Sequence, residues 1–251
     1  MIERTDSNGI ATLRLTHGKA SALDLELVDG LARVIAEIAF SDDTRAVILT
    51  GTGPIFSAGV DLFRLTDGGD DYVSRFVPAL SRMLLDLFSL PKPLVVAVNG
   101  HAIAGGCIFT LTGDYRIMAA GNARMGMPEL LVGVPFPPAV IEVVRFSVPP
   151  QHLQSLIYTG KTVAADEALR LGLIDEVAPS DSLLSRATEV ATQMAALPSG
   201  AFKLAKRQLR DKAISRAKHF ANELDAAVLD EWRAPDTHTR IREYLAKTVR
   251  K

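Results

Sequence analysis

The sequence predicts a layered α/β core that ends in a helical tail. Three observations carry this. Two continuous apolar runs, 46–50 and 94–98, each close on a glycine turn, as buried parallel strands do. Helical apolar spacing lies between short strand-like segments, which implies strands crossed by helices. From about residue 180 the pattern is almost entirely helical.

The elements follow in order. Residues 2–6 and 10–15 read as two short strands joined at Asn8-Gly9, a hairpin signal. Asp24 stands where a helix N-cap belongs, and Leu27, Val28, Leu31, Val34, Ile35 and Ile38 then recur on one face. The run 46–50 is the first buried strand and 94–98 the second, closed by Asn99-Gly100. A glycine pair opens an apolar helix at about 105–112. Residues 115–119 form a third strand and 173–177 a short fourth. The segment 64–88 has no clear assignment. Helices are expected at 181–197, 199–212, 217–231 and 236–249, punctuated by Pro198 and Pro235. The chain thus divides into a core, 1–180, and a helical region, 181–251. The strand–turn–helix unit recurs too irregularly for a solenoid.

Composition narrows the function. A formal net charge of −1 gives no field that would draw in nucleic acid or an anionic membrane. The single cysteine, Cys107, excludes a disulfide framework or a cysteine zinc site. No leader-like segment and no long apolar span is evident, so a cytoplasmic globular protein is expected. The five histidines are scattered with no metal-ligand spacing, so no metal is expected. His101 follows a strand end, where a structural role outweighs a catalytic one. Cys107 lies beside Ile108 and Phe109 and reads as a small hydrophobe. Gly51-Thr52-Gly53 lacks the third glycine of a dinucleotide fingerprint. Gly106 stands where a P-loop would carry lysine, and no G-x-S-x-G elbow is present.

Two glycine-bearing strand ends remain. They are Phe56-Ser57-Ala58-Gly59-Val60-Asp61-Leu62 and Asn99-Gly100-His101-Ala102-Ile103-Ala104-Gly105-Gly106-Cys107. Glycine lets backbone approach a ligand, and Gly105 opens a helix whose free N–H groups favour negative charge. Two such donors meeting at one point would make an oxyanion hole. Spacing alone is equally consistent with two tight turns.

These two motifs, with Asp114-Tyr115-Arg116-Ile117, Met127-Pro128-Glu129-Leu130 and the 158–177 region, closely resemble the crotonase (enoyl-CoA hydratase/isomerase) superfamily. Ser21-Ala22-Leu23 looks like the family's Asn-Ala-Leu, with serine for asparagine. The likeness runs from about residue 5 to residue 250. It implies a spiral of ββα turns with a helical C-terminal region used for assembly, as a homotrimer or a dimer of trimers. It implies an acyl-CoA thioester as substrate, with no separate cofactor. It places the oxyanion N–H groups on Ala58 and Gly105. Ser57, Val60, Leu62, Gly106 and Ile108 are expected to line the substrate groove, with Lys19 a candidate CoA phosphate contact. Asp61 and Asp114 belong to the motifs, but turn and cap roles suffice for them.

The acid–base positions discriminate between reactions. Hydratases of the superfamily carry two glutamates, one directly after Gly-Gly-Cys and one in the Pro-Glu segment. Here the first position is Ile108 and the second is Glu129. One carboxylate suffices to take a proton from C2 and return it at C4, which shifts a double bond. The superfamily's enoyl-CoA isomerases work this way, and Pro135-Phe136-Pro137 also looks like theirs. The expected activity is therefore isomerisation of 3-enoyl-CoA to 2-enoyl-CoA. The alternatives are hydration or another thioester reaction, with Glu142 the residue to check as a replacement acid, or a non-catalytic acyl-CoA-binding scaffold.

Overall fold

The computed structural model describes residues 1–248. Strands β1 (Ile2–Ser7) and β2 (Ile10–Leu15) form an antiparallel hairpin. Asn8 and Gly9 take φ of 51° and 77° at its tip, the left-handed pair such a turn requires. Helix α1 (Leu25–Phe40) starts at Asp24, whose Oδ1 accepts the Leu27 N–H at 2.9 Å. Strand β3 (Ala46–Thr50) follows, buried along its whole length.

A repeating unit then becomes visible. β3 is followed by β4 (Ile55–Ser57) and α2 (Leu62–Ser89). β5 (Leu94–Val98) is followed by β6 (His101–Ile103) and α3 (Gly105–Leu111). β7 (Tyr115–Ala119) is followed by β8 (Arg124–Gly126) and a 3-10 turn at Glu129–Val132. The first strand of each unit enters a six-stranded sheet and the second enters a four-stranded one, so the chain spirals between two sheets. The rest is α4 (Pro138–Ser147), α5 (Pro150–Thr159), β9 (Thr162–Ala164), α6 (Ala165–Arg170), β10 (Glu176–Ala178), α7 (Leu183–Ala195), α8 (Ser199–Arg233) and α9 (Pro235–Thr248). The large sheet runs β1-β2-β3-β5-β7-β10 and the small one β4-β6-β8-β9.

Alternation along the large sheet divides the core in two. Ala46, Ile48, Val95, Ala97 and Ile117 pack with Leu183, Ala187, Val190 and Ala191 of α7. Val47, Leu49, Leu94, Val96 and Met118 face the larger cluster, which includes α1, α2 and α3. α8 is docked by charge as well as by apolar contact. Asp114, before β7, meets Lys206 Nζ at 2.6 Å and Arg210 at 2.8 Å, and accepts the Leu94 N–H at 2.8 Å. Burial pushes the Lys206 ammonium down to about 8, against the opposing pull of Asp114. Arg210 also lies 4.2 Å from the Phe88 ring centre.

Two expectations are corrected, and two regions without an assignment are resolved. The expected strand at 173–177 is displaced: Leu173 and Ile174 form a buried turn, and pairing with β7 begins at Glu176. The expected helices 199–212 and 217–231 are one helix, because Ala213 and Ala217 are buried small residues within it. The unassigned segment 64–88 is the body of α2, which kinks at Gly69 (φ 60°, ψ −157°). The second strands of the spiral, three residues each, are too short to show an apolar period.

Candidate active site

The two glycine turns meet at the junction of the sheets. After β4, Gly59 has φ of 83°, a left-handed conformation that suits glycine. A Cβ there would lie 2.7 Å from the Ala104 Cβ and 3.0 Å from the Gly105 nitrogen. The two turns therefore leave no room for a side chain at Gly59. On the other turn Ala104 also has positive φ, 51°, and Gly105 is the first residue of α3. A Cβ on Gly105 would lie 2.6 Å from Leu23 Cδ1.

Hydrogen bonding decides which donors are free. The Ala58 N–H, expected as an oxyanion donor, donates to the Ala20 carbonyl at 3.0 Å. The Gly59 N–H donates to Ser57 Oγ at 3.2 Å and the Asp61 N–H to the Leu23 carbonyl at 3.0 Å. Val60 pairs with Leu23 as an isolated parallel bridge, which turns its own N–H away from Leu23. Among the described residues neither the Val60 nor the Gly105 N–H has a hydrogen-bond acceptor. The free donor on the first turn is thus Val60, two residues past the expected Ala58. Sequence spacing cannot show this, because it depends on which N–H the segment 20–23 consumes.

Val60, Gly105 and Ala58 line one pocket of about 730 Å³, counting space open to solvent. Leu62, Leu80, Leu84, Ile108 and Val140 form walls around it. So do residues 132 and 134–137, Trp232 and Tyr244. Glu129 is the only carboxylate among these lining residues. It begins the 3-10 turn after Pro128, and its backbone carbonyl accepts the Val134 N–H at 3.0 Å. Part of the residue is exposed, but Oε2 is out of solvent's reach and has no hydrogen-bond partner. Burial pushes its carboxyl up to about 8. A carboxyl with one buried, unpartnered oxygen in an apolar pocket is poised to exchange a proton.

The other expected site residues separate. Val60, Leu62 and Ile108 line the pocket, whereas Ser57 and Gly106 do not. Ser57 is fully buried and donates its hydroxyl to the Ser21 carbonyl at 2.8 Å, which fixes the turn from behind. Gly106 lies under β4, where a Cβ would meet the Ser57 carbonyl at 2.3 Å. Glu142 is buried in α4 and ion-paired with Arg145 and Arg216, away from the pocket lining. Asp61 caps α2 by accepting the Arg64 N–H at 3.0 Å. His101 Nδ1 accepts the Arg124 N–H at 3.2 Å. Cys107 is buried, and its thiol is pushed up by burial and then by Glu129. Lys19 is exposed. Among the described residues no cluster of three or more His, Cys, Asp or Glu could hold a metal.

Sequence reasoning missed several of the apolar pocket walls. Leu80 and Leu84 belong to the helical period of α2, a signal that was available. Trp232 and Tyr244 lie in the tail, and nothing local shows that they fold back onto the core.

A two-sheet spiral with an apolar pocket at the junction of its turns is the crotonase class of fold. The chain belongs to the enoyl-CoA hydratase/isomerase family, whose model matches residues 5–248. The family acts on acyl-CoA thioesters. Mitochondrial enoyl-CoA delta isomerase 1 of Rattus norvegicus is 29% identical over 212 residues, covering 84% of this chain and 73% of the relative. A short-chain-enoyl-CoA hydratase of Clostridium acetobutylicum is 34% identical over 204 residues, covering 80% and 77%. The crystal structure of human mitochondrial delta3-delta2-enoyl-CoA isomerase superimposes with a TM-score of 0.91 at 26% identity, covering 98% of this chain and 97% of that one.

Proposed function

We propose that the protein isomerises 3-enoyl-CoA to 2-enoyl-CoA, with Glu129 as the only proton carrier. The observation that carries this is the lone carboxylate: Glu129 faces the pocket and Ile108 occupies the position where the family's hydratases place their other glutamate. The thioester oxygen sits between the N–H groups of Val60 and Gly105. Glu129 takes a proton from C2, and the C–H electron pair moves into the C1–C2 bond as negative charge builds on the oxygen. The same proton then returns at C4, the double bond ends between C2 and C3, and the carboxylate is regenerated. Donors fixed before the reaction need no reorganisation as the charge develops, and each is worth about 3–4 kcal/mol of barrier by analogy with other oxyanion holes. The apolar walls support this reading by keeping water from the dienolate.

Hydration is the competing reading, favoured by the clostridial relative. It requires a second acid–base group. Ile108 cannot supply one, and Glu142 is held by Arg145 and Arg216. The test is to incubate the protein with 3-enoyl-CoA and with 2-enoyl-CoA, following conjugation and water addition separately. Conjugation without hydration is expected, abolished by Glu129→Gln while CoA binding persists. Hydration that survives this substitution would overturn the single-carboxylate mechanism. We also propose that the protein works as a homotrimer or a dimer of trimers, as the family resemblance implies.

A further inference from the structure

We infer that Trp232 is the stop that sets how long an acyl chain the pocket accepts. This rests on the acyl-CoA reading of the same pocket and names the residue that selects among its substrates. Most of the lining residues, within 58–140, come from the core. Trp232 arrives from elsewhere, at the end of α8. It has the largest side chain in the lining, it is the chain's only tryptophan, and it is 2% exposed.

Its position is fixed from several directions. The indole Nε1–H donates to the Pro135 carbonyl at 2.9 Å, which ties it to the loop after Glu129. Its ring lies 6.4 Å from Phe76 of α2, tilted by 46°. Its own carbonyl accepts from His238 Nε2 at 3.1 Å, which pins the α8–α9 corner beneath it. Swinging the ring aside would break the hydrogen bond and the aromatic contact together. A side chain held this way is a fixed wall and not an adjustable filler. Because the only indole donor is already used, the surface it turns to the pocket is apolar and suits hydrocarbon.

Each methylene buried along an apolar wall tightens binding by roughly fourfold. Affinity should therefore climb with chain length until the terminal carbon reaches Trp232, then stop climbing or fall. Removing the indole should move that break to longer chains.

The experiment titrates wild type, Trp232→Phe and Trp232→Ala with saturated butanoyl-, hexanoyl-, octanoyl-, dodecanoyl- and hexadecanoyl-CoA by calorimetry. CoA alone is the control for the rest of the site. Saturated ligands need no turnover, so the result does not depend on which reaction the enzyme performs. The expected result is a break in wild type that moves to longer chains in Trp232→Phe and further in Trp232→Ala, with CoA affinity unchanged. A break at the same length in all three proteins would overturn the proposal. Should Trp232→Ala fail to fold, Trp232→Phe, which keeps a ring against Phe76, carries the test alone. Failure of the acyl-CoA reading looks different: wild type would then bind every acyl-CoA no better than CoA.

Discussion

At the residue scale, the chemistry depends on one carboxylate and on a neighbour that lacks one. Burial raises Glu129 from 4.5 to about 8, so the fold favours its neutral form. A base must first be ionised, so kcat/KM for isomerisation should rise with pH and level off above about 8. A pH–rate profile checks this, and a plateau reached near 4.5 would contradict it. The stability consequence has the opposite sign. Between the unfolded value of 4.5 and the folded value of about 8, the native state binds more protons than the unfolded one, so stability falls as pH rises. The slope from this group is at most about 1.4 kcal/mol per pH unit. Thermal unfolding across that window should show Glu129→Gln gaining on wild type as pH rises. Val60 supports the same chemistry through its backbone. Val60→Pro removes the free N–H and should lower kcat by about 10²–10³-fold with the fold retained by circular dichroism. Full activity in that variant would return the donor role to another N–H.

At the scale of elements, the contrast between α1 and α2 shows what the sequence can display. α1 was legible because its cap, Asp24, and its apolar face agree. α2 carries an equally regular face in Val73, Phe76, Val77, Leu80, Leu84 and Leu87. Gly68-Gly69 does break the helical backbone ahead of this face, and Pro78 lies within it, so residues that ordinarily end helices hide the helix in the sequence. The same division holds in the site. Glu129 and Gly105 could be picked out from motif and type, whereas Val60 in place of Ala58 depends on hydrogen bonds made by residues 20–23. The ion-paired cluster that docks α8 was not legible either, since Asp114 and Lys206 are 92 residues apart. That cluster makes a sharp prediction. Asp114→Asn leaves two buried cations, Lys206 and Arg210, without their counter-charge and should cost about 3–5 kcal/mol. Chemical denaturation measures it, and a loss under 1 kcal/mol, roughly what an exposed pair is worth, would show the cluster to be effectively solvated.

At the scale of the whole molecule, the proposed assembly and acyl-CoA binding can be tested apart. A single chain supplies apolar pocket walls that run from Ala58 to Tyr244. No helix among the described residues is long and apolar enough to cross a membrane. Leu209 is 70% exposed and Phe146 41%, and both border one recess over the buried Asp114 cluster. We assign this exposed apolar surface to a subunit contact in the proposed assembly. Within the proposed homotrimer, Leu209→Glu would place a charge where a neighbour should pack, which disfavours association. Sedimentation should show wild type at three times the mass of one chain, or six times for a dimer of trimers, and the variant at one. Acyl-CoA affinity per chain should be unchanged, because the dissociated chain keeps all of its own pocket walls. A wild-type protein sedimenting as a single chain would refute the trimer. A dissociated variant that had lost acyl-CoA binding would show that contact between subunits holds the α8–α9 corner, and with it Trp232, in place.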